Sequence, residues 1–177
     1  RFVEEGGIVY HSYESGSLNI YFNRLFGVEV QTQEADRGYR RLTAKRDWAV
    51  WRQGDEIILS ERQPEHALRV RCKEAETLFA FDDGKPALLR NRYGKGTAYL
   101  AVLSLDNGLM QIPYRDFLAS ASFVMVNEMI REARIRRILW FDHPAIEVGW
   151  MEEARPERGR DGIQESIIIC ISHDPDT

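Results

Sequence analysis

The sequence predicts an α/β fold, and three stretches carry that prediction. Gly6-Gly7 opens the run Ile8-Val9-Tyr10-His11-Ser12-Tyr13, and a helix end, a glycine turn and a buried strand together mark an α/β unit. Asp82 to Leu105 reads as two strands, Pro86–Arg92 and Thr97–Ser104, joined by Tyr93-Gly94-Lys95-Gly96. The two glycines supply the positive φ that a tight connection needs. The second strand is apolar from Ala98 to Leu103, which suits a strand covered on both faces. The third stretch is a helical period from about Tyr114 to Ala133.

Between these anchors the elements follow in order. The first strand ends at Glu14-Ser15-Gly16, and Ser17 can cap a helix running to Arg24 or Leu25. That helix is expected to present Leu18, Tyr21, Phe22 and Leu25 on one face. Gly27 ends it, Val28-Glu29-Val30 reads as a short strand, and residues 31–38 read as a polar loop. From Tyr39 to Arg71 the pattern is β: Trp48 to Trp51, a turn at Gln53-Gly54-Asp55, then Ile57-Ile58-Leu59. Ala67 to Cys72 alternates, with Leu68, Val70 and Cys72 on one side and Arg69 and Arg71 on the other. Glu76 to Phe81 is a further strand, turned by Asp83-Gly84.

Pro113 suits the first turn of the long helix. Phe117, Ala121, Val124, Met125, Glu128 and Met129 keep its 3.6 period, with Glu128 as the break in the apolar stripe. Arg131, Arg134, Arg136 and Arg137 crowd its C-terminal end, where the dipole favours cations, and read as a solvated helix end. The character changes near residues 137–144, where a domain boundary is expected. Beyond it, Ile146–Met151 and Ile163–Ser172 read as strands around a charged loop.

Composition excludes several classes of function. The net charge of −4 gives no general pull towards nucleic acid or anionic membrane. No apolar run approaches the ~20 residues of a membrane span. No signal peptide is visible, and the expected location is cytoplasmic. Cys72 and Cys170 lie far apart in sequence and each reads as a buried free thiol.

Candidate chemistry is sparse. His11, Ser12 and Glu14 stand at the C-terminal end of the first strand, where α/β folds often carry their sites. The surrounding Tyr10-His11-Ser12-Tyr13-Glu14 has no G-x-S-x-G elbow, and neighbours on a strand face opposite ways. His11, His66, His143 and His173 show no metal-ligand spacing. Gly94-Lys95-Gly96 lacks the spacing of a phosphate loop and reads as a hairpin turn. Trp48, Trp51, Trp140 and Trp150 could stack on sugar rings, although core packing is the commoner use.

Several segments, taken together, resemble a known family. Phe2-Val3-Glu4-Glu5-Gly6-Gly7-Ile8-Val9 resembles the helix, Gly-Gly, strand entry of class I glutamine-amidotransferase-like domains. Leu25-Phe26-Gly27-Val28, Asp83-Gly84-Lys85-Pro86-Ala87-Leu88 and Tyr93-Gly94-Lys95-Gly96 resemble segments of the version carried by glycoside hydrolases. In this order they resemble the trimerisation domain of trimer-forming β-galactosidases and related glycosidases, over roughly residues 1–136. Ala145-Ile146-Glu147-Val148 is similar to the start of the small β domain that follows in those enzymes.

The resemblance implies a partial flavodoxin-like domain with a β-rich insertion over residues 1–137, then the start of a C-terminal β domain over 138–177. It also implies a non-catalytic assembly role, as a homotrimer or docked to the rest of a parent glycosidase. A working amidotransferase would carry a Cys at the elbow and a downstream His-x-Glu, whereas Ser12-Tyr13-Glu14 stands here and no His-x-Glu exists. The catalytic carboxylates of the related glycosidases lie on a (β/α)-barrel that this sequence lacks. The expectation is therefore no catalytic, cofactor-binding or metal-binding residue in this chain. The alternatives are a free-standing α/β hydrolase using His11, Ser12 and Glu14, or a carbohydrate-binding module using exposed tryptophans. A strand entered five residues from the start and an apolar strand close to the end give the further expectation that the sheets are completed by material outside this sequence.

Overall fold

The computed structural model describes residues 1–13, 20–35, 41–59, 66–105, 120–134, 146–152 and 166–172. The chain divides into two compact units, Arg1–Arg136 and Arg137–Thr177. The first is mixed α/β and mostly sheet. Its strands are β1 (Ile8–Ser12), β2 (Val28–Ala35), β3 (Arg41–Ala44), β4 (Glu56–Ile58), β5 (His66–Cys72), β6 (Glu76–Phe81), β7 (Pro86–Tyr93) and β8 (Gly96–Ala101). Among the described residues its helices are α1 (Ile20–Phe26) and α2 (Ala121–Glu132).

Six strands form one sheet in the order β1-β8-β7-β6-β3-β4, while β2 and β5 form a separate ribbon. Only the β1–β8 pair of the large sheet is parallel. The β6–β7 and β7–β8 turns are too short for the crossover that parallel neighbours require, so those pairs are antiparallel. At β1–β8 the intervening chain is long enough, and Ile8 aligns with Thr97 through to Ser12 with Ala101.

All six residues of β8 are buried, as its unbroken apolar run requires. α1 and α2 cover opposite faces. Asn91 Nδ2 donates to the Leu25 carbonyl on α1 at 2.9 Å, and its strand neighbour Arg90 reaches Glu132 on α2. Adjacent strand residues point to opposite sides, which makes a helix–sheet–helix sandwich. Leu78, Phe79, Leu88, Leu89, Tyr99, Leu100 and Met125 are fully buried within it, each worth roughly 1.5–3 kcal/mol of transfer free energy.

Gly27 ends α1 in the left-handed region at φ +64°, as read from the sequence. Its carbonyl then accepts the backbone N–H groups of Lys73, Glu74 and Ala75 at 2.9, 3.0 and 3.0 Å. One residue thus closes the helix and fastens the β5–β6 turn beneath it.

Three expectations are corrected. The stretch after Val30 is strand as far as Ala35, not loop, because β5 pairs it antiparallel with a one-residue irregularity between Val30 and Thr32. Val28, Leu68 and Val70 hold one face of this ribbon in the core, while Gln31, Thr32 and Gln33 are exposed, so the far part of β2 tolerates the polar residues that hid it. On α1, Tyr21 is 78% exposed, whereas Phe26 joins Phe22 in the core. The last helix does not run continuously from Tyr114. Ser120 has extended backbone and its Oγ accepts the Phe123 N–H at 3.2 Å, so α2 starts at Ala121. Ser17, Leu18 and Pro113 lie outside the described residues, as does the 137–144 boundary.

The second unit contains β9 (Ile146–Glu152) and β10 (Ser166–Ser172), paired antiparallel from Ser166 opposite Glu152 to Ser172 opposite Ile146.

Candidate functional site

The C-terminal end of β1 holds His11 and Ser12, and the fold separates them. The His11 ring packs edge-on against Phe22 at 5.1 Å and tilted against Phe26 at 5.7 Å between centroids. Both phenylalanines belong to α1, so His11 faces that helix and Ser12 the other side of the sheet. Glu14 lies outside the described residues. This arrangement gives no nucleophile–base contact between His11 and Ser12.

The tryptophans form no exposed row among the described side chains. Trp48 is buried, stacks on Trp51 at 6.1 Å and meets Phe79 and Tyr99 at 6.0 and 5.9 Å. The two indoles are brought together by a tight bridge in which Trp48 and Trp51 exchange both backbone hydrogen bonds, each at 3.0 Å. Trp140 lies outside the described residues, and the Trp150 side chain is not described. No group of three or more His, Cys, Asp or Glu among the described residues could hold a metal ion.

The polar centre lies elsewhere, between α2 and the sheet. Glu132 Oε1 accepts from Trp48 Nε1 at 3.1 Å and stands 3.6 Å from Arg90 Nη1, while Oε2 accepts from the Tyr99 hydroxyl. Arg90 also donates to Glu76, which accepts in turn from Arg46. Burial works against the Arg90 charge, but hydrogen bonding to Glu76 and Tyr99 outweighs it and holds the guanidinium above its ordinary pKa. Burial pushes the Tyr99 phenol well above its ordinary value, and the Glu132 carboxylate beside it adds to the rise.

Two carboxylates therefore converge on Arg90. Glycoside hydrolysis needs a pair facing each other across an open cleft, whereas here each is occupied by Trp, Tyr or Arg donors. The arrangement clamps α2 to the sheet. The sequence reading missed Glu132, having singled out Glu128 one turn earlier. Glu128 pairs with Arg131 at 2.6 Å, and the signal for Glu132 was its i+4 position on the same stripe. Cys72 is a free thiol, half-buried, with Sγ 3.6 Å from Thr77 Oγ1.

No protein-family model matches this sequence, and no curated protein matches it. Solved structures do share its fold. The β-galactosidase from Bacillus circulans sp. alkalophilus aligns with a TM-score of 0.58 at 20% identity, over 84% of this chain and 22% of its own. The β-galactosidase from Rahnella sp. R3 gives 0.59 at 18% identity, over 84% and 22%. An exo-β-1,4-mannosidase from Opitutaceae bacterium strain TAV5 gives 0.52 at 19% identity, over 72% and 21%. At such identities the likeness is one of fold. The chain spans less than a quarter of the length of each of these enzymes. No helix among the described residues is long and apolar enough to cross a membrane.

Proposed function

We propose that this chain is the non-catalytic assembly portion of a glycoside hydrolase that acts on carbohydrate. In this reading residues 1–137 are a glutamine-amidotransferase-like, flavodoxin-like trimerisation domain, and residues 138–177 begin a C-terminal β domain. One observation carries it: the fold is shared with a part, and only a part, of two β-galactosidases and a mannosidase. Three further features support it. His11 and Ser12 face opposite sides of β1, both carboxylates of the polar centre are engaged by the protein, and Trp48 is used in the core. Large apolar side chains at Phe2, Tyr21, Val50 and Ile58 are 69%, 78%, 72% and 69% exposed, a supply of contact surface for self-association or docking.

Light scattering on the purified chain tests the assembly role, with a trimer as the expected species. A clean monomer at high concentration, with no other chain present, overturns it. An aryl-galactoside assay tests the absence of catalysis, and no turnover is expected. Activity that survives purification and disappears in Glu14→Ala would establish the hydrolase alternative instead.

A further inference from the structure

At the opposite end of the sheet from His11, the β7–β8 turn, the start of β1 and the C-terminal end of α2 line an open cleft of about 570 Å³. That size suits a small molecule. Four cationic side chains line it, Arg92, Lys95, Arg131 and Arg134, with Glu132 as the one carboxylate. Glu132 is already engaged by Trp48, Tyr99 and Arg90, and Arg131 is matched by Glu128. The remaining three cations have no carboxylate partner among the described residues. Arg92 is steadied by donating from Nη1 to Thr97 Oγ1 at 2.9 Å. Lys95 is exposed at the turn, fixed through its backbone N–H to the Glu4 carbonyl at 3.0 Å. This concentration of positive charge occurs on a chain whose net charge is −4.

A second, independent observation concerns the backbone. Arg134, just past the end of α2, sits at φ +52°, a region that β-carbon sterics disfavour. Glycine is the usual occupant of that helix-ending position. An arginine kept there carries a conformational cost, and such outliers gather at functional positions. Here the unfavourable residue is one that lines the cleft.

We infer that this cleft binds a small oxyanion carrying two or more negative charges, of the phosphate or polycarboxylate class, through Arg92, Lys95 and Arg134. Guanidinium forks donate paired hydrogen bonds to the oxygens of either class, and the ammonium of Lys95 adds a point charge.

The test uses the whole chain, isotope-labelled, titrated separately with pyrophosphate and with citrate and followed by amide chemical shifts. The expected result is saturable change confined to residues 92–97 and 131–134 with at least one of them. Saturation by one alone identifies the class, and saturation by both shows that charge and not geometry selects. Lys95→Ala, an exposed truncation, is expected to weaken binding about tenfold. Arg134→Gly is expected to weaken it similarly while raising Tm, because glycine relieves the left-handed conformation. Shifts that never saturate with either anion overturn the inference. So does binding unchanged in Lys95→Ala, or a fall in Tm in Arg134→Gly, which would make Arg134 a structural residue.

Discussion

Glu132 and Glu128 are one turn apart on the same helix, yet what each leaves behind when removed differs. Truncating Glu132 strands the Trp48 indole N–H, the Tyr99 hydroxyl and one side of Arg90, all beneath α2. Glu132→Ala is therefore expected to cost about 2 kcal/mol in urea unfolding. Glu128→Ala leaves only Arg131, whose side chain is 75% exposed, and is expected to cost less than about 0.5 kcal/mol. Equal losses would show that Glu132 is no anchor. Tyr99 adds a dependence on pH. Its folded pKa is raised above the unfolded value near 10, so the folded state favours the neutral phenol. The resulting stability is fully present below about pH 10, declines as the unfolded chain begins to lose this proton, and is gone once pH passes the folded pKa. Tyr99→Phe removes this contribution, so the wild type is expected to lose stability more steeply above about pH 10 than the variant. Parallel curves for the two proteins in that range would refute the assignment.

The β7–β8 hairpin shows what an element could and could not reveal in advance. Its two strands and its turn were legible because the apolar run and the two glycines are local signals. Gly94 does take φ +61°. Gly96 is needed for another reason, which the sequence does not carry. A Cβ there would lie 2.2 Å from both the Gly7 and Val3 carbonyl oxygens, because the turn is seated on the entry to β1. Gly96→Ala is thus expected to destabilise by more than about 2 kcal/mol, since backbone must move on both sides. An alanine variant of near wild-type Tm would mean that β1 and the turn are not in this contact. The same distinction explains the misreadings. Gln31-Thr32-Gln33 belongs to a strand but is polar on both faces, so it offers no period of two. Ser120 interrupts a 3.6 period that continues through it, and only the cap geometry shows the break. The Glu132 clamp joins Trp48 to a residue 84 positions away, beyond any local pattern.

At the scale of the molecule, a mixture of helix and sheet was legible but the weight of its parts was not. Gly-Gly before an apolar strand announces an α/β unit, yet only one pair of the six-stranded sheet is parallel, because pairing depends on which segments meet and not on how each one reads. Among the residues whose side chains are described, the continuous hydrophobic core runs from Phe22 to Met129, inside the first unit, where α1 and α2 cover a six-stranded sheet. The described structure of the second unit is one two-stranded hairpin, and such a hairpin is marginal in water by itself. A chain of Arg1–Arg136 is accordingly expected to unfold in a single cooperative urea transition. A peptide of residues 137–177, near the ~40-residue limit below which a lone core seldom suffices, is expected to show no transition when isolated. Loss of cooperative unfolding from the shorter chain would mean that the sandwich is not self-sufficient. A cooperative transition from the peptide would mean that its residues build more of a core than one hairpin supplies.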